Sequence, residues 1–450
     1  MFMNTLSIDA PASKSMSHRA LICAALARGN STLENVLVSD DLMRTRECLT
    51  ALGAEFVDDC GTILVRGVSG FACGAGPVDL FVGESGTTCR LLTGLAAAFA
   101  GHFRIHGAGR MHERPMNALV DALASLGVGF SFETKKNFLP FVLHSGGKLH
   151  GSVAIDISES SQFLSALLLA APLGPSALTI ELLGTKVVSW PYVALTLQMM
   201  QDFGVQVVVC SRNKDTWEEV DWRELTEVHP GAIRFVVRPQ AYQPRQHRVE
   251  ADWSNASYFL AAGAIGPAPV CLRGLRPDSM QGDRAWVDIL QAMGGTFRWN
   301  EQGCTVFPSA LHGARLDMKS CPDIVPTVAV MACFAQGPTE IRGVAHLRFK
   351  ESDRLEAVAS QLRRAGQGVE VLDDGLIISP APFAGGQTIH LSSFSDHRIA
   401  MSLSLLACAG LVPAFDDSAC VSKSFPGFWD TWKNIQDALP NLASAGFSDC

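Results

Sequence analysis

Basic side chains recur where short polar runs open onto long apolar ones. Lys14 and Arg19 lie in SKSMSHRAL, Arg90 in ESGTTCRLL and Arg398 in FSDHRIAMS. Others sit in polar loops: Arg110 and Arg114 in GAGRMHERP, Arg348, Lys350 and Arg354 in LRFKESDR, and Lys423 in VSKSFPG. A helix N-terminus presents unbonded N–H groups and a partial positive charge, so cations at such openings suit phosphate and carboxylate ligands. Taken alone, each cation is more simply a solvated or ion-paired surface residue. Context argues otherwise for some. Lys14 is wedged between serines, and His397 and Arg398 open an otherwise apolar helix. Lys350, Glu351 and Arg354 fall at i, i+1 and i+4, which puts both cations on one helical face with Glu351 nearby. Asp323 and Glu351 are the candidate proton handlers. Asp323 stands between a proline and a buried helix, so it also reads as an N-cap, and Glu351 also reads as a partner of Lys350 or Arg354. Glu84 and Asp396 read as helix caps.

Other chemistries lack their signatures. The chain has no G-x-x-x-x-G-K-[ST], no G-x-G-x-x-G after a strand, no H-E-x-x-H and no G-x-S-x-G. The histidines show no metal spacing. The 13 cysteines are scattered singly without a C-x-x-C pair, which argues against zinc and a disulfide framework and for reduced thiols.

The elements that must position these residues form a repeated pattern. Six segments pair a polar opening with a run of small and apolar residues that closes on Gly. They are SKSMSHRALICAALARG, ESGTTCRLLTGLAAAFAG, SESSQFLSALLLAAPLG, DWSNASYFLAAGAIG, PDIVPTVAVMACFAQG and FSDHRIAMSLSLLACAG. Their length and composition predict helices capped by Ser, Asp or Asn, and apolar residues nearly all round predict that these helices are buried. A second helix type follows most of them, as in MRTRECLTALGAEF and LEAVASQLRRAGQGV, and runs through Gly into a short strand. With strands such as TILVRGV, FVLHSG and TEIRGV between, the unit reads β-α-β-α-β-β, about six times over. Repeats of ~60–80 residues exceed solenoid units, so each predicts its own subdomain layer. The charged stretch SRNKDTWEEVDWRELTEVH, 211–229, breaks the pattern and reads as a surface hairpin or loop insertion without assigned chemistry. The segment after Asp430 reads as a last helix and a loose end.

Bulk properties agree. At 450 residues two or more domains are expected. Hydrophobic residues at 48% and charged residues at 18% describe a packed globular chain. No apolar run reaches the ~20 residues of a membrane span, and MFMNTLSIDAPASKS lacks the basic start and apolar core of a signal peptide, so a cytoplasmic protein without membrane partners is expected. A net charge of −8 argues against nucleic acid but not against small anions, which need only a local cluster of cations.

The blocks PASKSMSHRAL, SDD at 39–41, GESGTTCRLLTG, GRMHERP, SSQFLSALLLAAPL, SNASYFLAAGAI, SMQGD, PDIVPTVAV, FKESDRL, SDHRIAMS and KSFPGF occur in the order found in EPSP synthases. The chain resembles that family from residue 10 to 430. The resemblance implies a two-domain inverted α/β barrel, the enolpyruvyl transferase fold, with six βαβαββ repeats, three per domain. It implies domains of residues 13–247 and of 1–12 plus 248–450, with the active site in a cleft between them that closes on substrate. Carried over by motif, Ser15, Arg19, Ser160, Ser161, Gln162, Ser189, Tyr192, Asp323, His346 and Lys350 resemble contacts to shikimate 3-phosphate. Lys14, Gly86, Arg114, Gln162, Arg354, Arg398 and Lys423 resemble contacts to phosphoenolpyruvate. Asp323 and Glu351 look like the acid–base pair, with Lys14 a further proton donor and His397 beside them. No metal or organic cofactor is implied, and a monomer is expected. Gly86 would let the backbone approach a ligand closely.

The chain departs from the family pattern at Ala12, usually Gly, at Glu84, often Asn, and at Leu91, often Pro; His346 stands where Asn or another polar residue is common. Two other readings compete. The related transferase acting on UDP-N-acetylglucosamine opens with Gly-Ala-Lys-Asn and uses a loop cysteine, whereas this chain has Ala-Ser-Lys-Ser and no cysteine in GAGRMHERP. A non-catalytic sensor of phosphorylated ligands on the same scaffold should have lost Asp323, Glu351 or Lys423, and all three are present.

Overall fold

Ala- and Leu-rich runs with no polar face form the interior of the computed structural model, which describes residues 5–68 and 76–439. The chain divides into two units, Lys14–Val249 and Met1–Ser13 with Glu250–Cys450.

In the first unit, three four- or five-stranded sheets surround the helices Lys14–Leu26, Gly86–Ala97 and Gln162–Ala170. From Met16 to Leu26 every residue of the first helix is buried, as its lack of a polar face requires. Gly94 shows how closely these helices meet. A Cβ there would come 2.6 Å from the carbonyl oxygen of Ala166, so the backbones of two helices touch. Each sheet has a parallel pair followed by an antiparallel hairpin. The sheet Val78–Phe81, Ala100–His106, Phe141–Gly146, Gly129–Phe132 is the plainest copy. Its two helices, Gly86–Ala97 and Asn117–Ser125, complete βαβαββ.

In the second unit, Trp253–Ile265, Val325–Ala332 and His397–Leu403 are the buried helices. Two of its sheets repeat the same order, one from Leu6–Asp9 to Gly303–Phe307 and one from Arg315–Asp317 to Leu376–Ser379. The third contains only Thr388–Leu391 and Val412–Phe415, so among the described residues the last repeat is βαβα, its second helix being Phe428–Gln436, and the expected final hairpin is missing. The loose end expected beyond it lies outside the described residues from 440 onward.

The first repeat of each unit borrows its leading strand. Gln246–Arg248 pairs in parallel with Asn30–Glu34 of the first unit, and Leu6–Asp9 pairs in parallel with Val270–Arg273 of the second. The chain therefore passes between units twice, at Ser13–Lys14 and at Val249–Glu250. The charged insertion is a hairpin, Val207–Asn213 with Thr216–Glu219 at the sheet edge, and then a short turn that buries Trp222.

Among the described residues no helix is long and apolar enough to cross a membrane. The described cysteines are unpaired and mostly buried.

Candidate active site

The site residues form two clusters, one in each unit. In the first unit Lys14 opens its helix and its Nζ lies 3.1 Å from Asp41 Oδ2, with both side chains about a tenth exposed. Asp41 belongs to the SDD block. Its backbone carbonyl accepts hydrogen bonds from the hydroxyls of Thr45 and Thr88. Thr88 also reaches Ser85 at 2.8 Å, and Thr45 reaches His18 Nδ1 at 2.8 Å. His18 is fully buried, and burial, with Lys14 and Arg19 adding to it, holds its pKa well below the usual 6.5, so it serves this network as a neutral ring. The chain of hydroxyls thus fixes the N-terminal ends of three helices.

Arg19 is 1% exposed and its guanidinium donates to Thr196 Oγ1 at 2.7 Å and to the carbonyls of Ser15 and Tyr192. Burial pulls its pKa down to about 10, which leaves it charged at neutral pH. It therefore ties Ser15 to the Trp190–Asp202 helix. Ser189 stands at the N-cap position of that helix in a left-handed conformation, φ +53°. Ser160 Oγ accepts from the Gln162 backbone N–H. The Gln162 side chain is clamped at both ends, accepting from Arg90 Nη1 at 2.7 Å and donating to Thr87 Oγ1 at 2.9 Å.

Gly86 was expected to admit a ligand. The Arg114 guanidinium lies against it: a Cβ on Gly86 would lie 2.7 Å from Cζ and from both Nη atoms. Arg114 is 5% exposed and is delivered by the GAGRMHERP loop, whose Met111 is buried. The helix cap is Ser85, which accepts from Thr88 N, so the expected Glu84 cap is corrected. Glu84 instead lies against Gly109, whose positive φ of +50° and missing side chain make the room. Of the six buried helices, Ser85, Asp252 and Asp396 make the expected side-chain caps, whereas Ser161 makes none and Ile324 cannot.

In the second unit Arg354 is the hub. Its Nε lies 2.8 Å from Asp396 Oδ2, Nη1 lies 3.0 Å from Asp323 Oδ1, and Nη2 lies 2.7 Å from Glu351 Oε2. Arg398 Nη2 reaches the other oxygen of Asp323 at 2.9 Å. Burial alone would lower the Arg354 pKa, but the three carboxylates raise it above the ordinary arginine value, so the charge is permanent. Asp396 is fully buried; it caps the His397–Leu403 helix and accepts from Ser352. Asp323 and Glu351 keep 16% and 14% of their side-chain surface, enough to meet a ligand. Asp323 is not the N-cap its position allowed, because its carboxylate is spent on two guanidiniums.

The helical face expected to join Lys350 and Arg354 does not form. A short turn, Ala345–Phe349, ends at Lys350, and a new helix, Arg354–Arg364, starts after the cap Asp353. The break frees Glu351 to fold back onto Arg354 at i−3. His346 and His397 are buried, His397 with Nδ1 3.9 Å from Asp396. Lys423 Nζ donates to the Ser395 carbonyl at 3.2 Å, beside the Asp396 cap. Arg110 and Arg348 are surface cations that pair with Glu113 and Asp353.

Two buried carboxyls were not picked out by sequence as site residues. Asp41 and Asp283 were visible only as letters in the SDD and SMQGD blocks. Asp283, 2% exposed, accepts from Ser254 Oγ, and burial and the nearby Asp323 charge push its pKa up to about 7.

Residues 5–432 match the family model of EPSP synthase, 3-phosphoshikimate 1-carboxyvinyltransferase. This chain belongs to the EPSP synthase family. A 3-phosphoshikimate 1-carboxyvinyltransferase of Marinomonas sp. (strain MWYL1) is 39% identical over 431 residues, covering 95% of this chain and 96% of that protein. One of Histophilus somni (strain 2336) is 38% identical over 95% of this chain and 96% of its own. Among solved structures, an EPSP synthase from Acinetobacter baumannii matches with TM-score 0.73 at 25% identity, over 96% of each chain. The enolpyruvyl transferase NikO from Streptomyces tendae matches with TM-score 0.70 at 17% identity, over 97% of this chain and 95% of that one, and shares the fold.

Proposed function

We propose that this chain transfers the enolpyruvyl group of phosphoenolpyruvate to the 5-hydroxyl of shikimate 3-phosphate, releasing phosphate, as a step of aromatic amino acid biosynthesis. The observation that carries the reading is the division of labour around Arg354. One carboxylate, Asp396, is sealed and structural, while two more on the same guanidinium keep an accessible face. A permanent charge that holds two accessible carboxylates in fixed positions suits proton transfer beside anionic ligands.

The reaction adds the hydroxyl oxygen to C2 of phosphoenolpyruvate and a proton to C3, then expels phosphate from the tetrahedral intermediate. Asp323 takes the hydroxyl proton. Lys14, paired with Asp41, supplies the methylene proton; Glu351 is the less suited donor because Arg354 favours its ionised form. In the elimination Lys14 recovers its proton from the methyl group and Asp323 passes its own to the departing phosphate, so both groups are restored. Arg114, Arg398 and Lys423 offset charge on the phosphate and carboxylate of phosphoenolpyruvate. Ser15, Ser160, Ser161, Gln162, Ser189, Tyr192, His346 and Lys350 recognise shikimate 3-phosphate. Arg19 and Arg354 act mainly by holding their neighbours, since their donors are already committed to protein oxygens. His397 serves behind Asp396. The chain acts as a cytoplasmic monomer and needs no metal or organic cofactor.

A coupled phosphate-release assay with both substrates, with the product identified by mass, tests this. Release that needs both substrates and yields the enolpyruvyl ether is expected. Binding of both ligands without release would favour the sensor, and turnover with UDP-N-acetylglucosamine in place of shikimate 3-phosphate would favour the related transferase.

A further inference from the structure

Asp283 has no part in the scheme above, yet it sits beside the group proposed as the base. The turn that carries it, Gly282–Ala285, packs on the Pro322–Ile324 turn that carries Asp323 and on the Trp253–Ile265 helix. It is a buried carboxyl that accepts from the Ser254 hydroxyl. From the helix, Asp252 and Tyr258 face this region. The Asp252 carboxylate is occupied with capping Asn255 N at 2.7 Å, and burial raises the pKa of the Tyr258 hydroxyl while the Arg398 charge opposes that rise. From the Asp323 turn come Asp323 itself and the Cys321 thiol, whose pKa burial raises and the Asp283 and Asp323 charges raise further, so it stays neutral. On the following helix, Trp286–Ala292, Asp288 is exposed and lies 3.5 Å from Arg284. The charged groups that act on Asp283 are therefore Asp323, Arg398 and Asp252.

Asp323 meets two guanidiniums at 2.9–3.0 Å, an environment that favours the carboxylate and makes it a poor acceptor of a substrate proton. A base in that position needs a negative charge nearby to offset them. We propose that Asp283 is a positioning residue for this reaction, acting through the Asp323–Arg398 pair: when it ionises it repels Asp323 and draws on Arg398, and so lets Asp323 accept a proton. The proposal rests on the assignment of Asp323 as base. Its electrostatic part does not depend on substrate. Asp323 raises the proton affinity of Asp283, and the repulsion between two carboxylates is mutual.

Asp283→Asn keeps the shape and fixes the neutral state. Its kcat is expected to match wild type near pH 5.5 and to fall about tenfold behind by pH 8.5, with both KM values within roughly twofold, a tenfold change being one unit of proton affinity at Asp323. Ser254→Ala removes a bond that favours the ionised form, so the same kcat limb should keep its shape and move to higher pH. A wild-type to variant ratio that is constant with pH, or a change confined to KM, overturns the proposal. The carboxyl carbon of Asp283, followed by NMR as the signal lost in Asp283→Asn, should titrate near 7 in wild type and at lower pH in Asp323→Asn. A midpoint unmoved by Asp323→Asn refutes the coupling. If the midpoint moves but neither protein turns over the two substrates, the coupling stands and the functional reading fails.

Discussion

Replacing Gly86 by Ala separates the stability of this fold from its capacity to bind an anion. Gly86 is the first residue of its helix and its φ lies outside the left-handed range, so its backbone accepts alanine without strain. The added Cβ would stand 2.7 Å from three atoms of the Arg114 guanidinium. Ordinary contact needs ~3.5 Å, so the guanidinium must retreat by roughly 0.8 Å. It is the end of a flexible side chain, and an off-rotamer adjustment costs about 0.5–1.5 kcal/mol. Alanine returns up to about 1 kcal/mol in helix propensity, so net stability should change by less than ~1 kcal/mol. Binding should change more. A displaced bidentate, charge-assisted pair loses about 1.5–3 kcal/mol, or roughly 10–100-fold in affinity. The expected result is a KM for phosphoenolpyruvate raised by that factor, an unchanged KM for shikimate 3-phosphate, and a melting temperature within a few degrees of wild type. An unchanged KM for phosphoenolpyruvate would show that Arg114 does not hold that ligand. A loss of several kcal/mol in urea would show that Arg114 cannot retreat and that the steric reasoning is wrong.

Arg354→Met should destabilise the second unit by about 3–5 kcal/mol in urea unfolding, because it strands Asp396 as a fully buried charge. Asp323→Asn should cut kcat by roughly 10²–10⁴ while calorimetric affinities for both substrates change only a few-fold. His18, whose folded pKa is depressed, contributes stability present above pH ~6.5 and lost as pH falls, since only the unfolded chain then takes up the proton; His18→Gln should flatten the slope of unfolding free energy between pH 7 and 5. Asp283 has the opposite sign. Its folded pKa of about 7 lies above the unfolded value, so stability present below pH ~4 is lost as pH rises toward 7, on the order of 3–4 kcal/mol, and Asp283→Asn should remove that slope.

The helices were legible because their signal is local and redundant. An Ala/Leu run with no polar face has one stable place, the interior, and all six runs went there. Strand pairing was partly legible from the repeat. The borrowed strands were not, since nothing local in Gln246–Arg248 says that it pairs with Asn30–Glu34, more than 200 positions earlier. The same limit governs the site. Cations could be found because a basic residue at a polar helix opening is a local pattern. Of their partners only the local one, Glu351, was open to sequence reading, because Arg354 meets Asp323 and Asp396 across 31 and 42 residues. One local geometric inference that failed, the shared face of Lys350 and Arg354, assumed a helix through SDR. Asp353 is a better cap than interior residue, and its carboxylate accepts from the N–H groups of Leu355 and Glu356 and starts the helix there.

The partners change how the site must work. Sequence alone presents most of the second unit's cations, Arg354 and Arg398 among them, as ligand contacts. In the folded chain Arg354 and Arg398 already hold three carboxylates, and Arg354 is 2% exposed. A cation so committed is a poor first contact for phosphate, because a ligand would have to displace a carboxylate and strand it. The proposed function accordingly gives the charge of phosphoenolpyruvate to Arg114, Arg398 and Lys423. Arg354 instead fixes where Asp323 and Glu351 stand. This ordering is testable in kinetics: Lys423→Met should raise the KM for phosphoenolpyruvate with a folded, stable protein. Arg354→Lys, which keeps the charge but loses the planar fork, should lower kcat and stability together. If Arg354→Lys raised only the KM for phosphoenolpyruvate, Arg354 would be a ligand contact after all, and the carboxylates would not need it to stay in place.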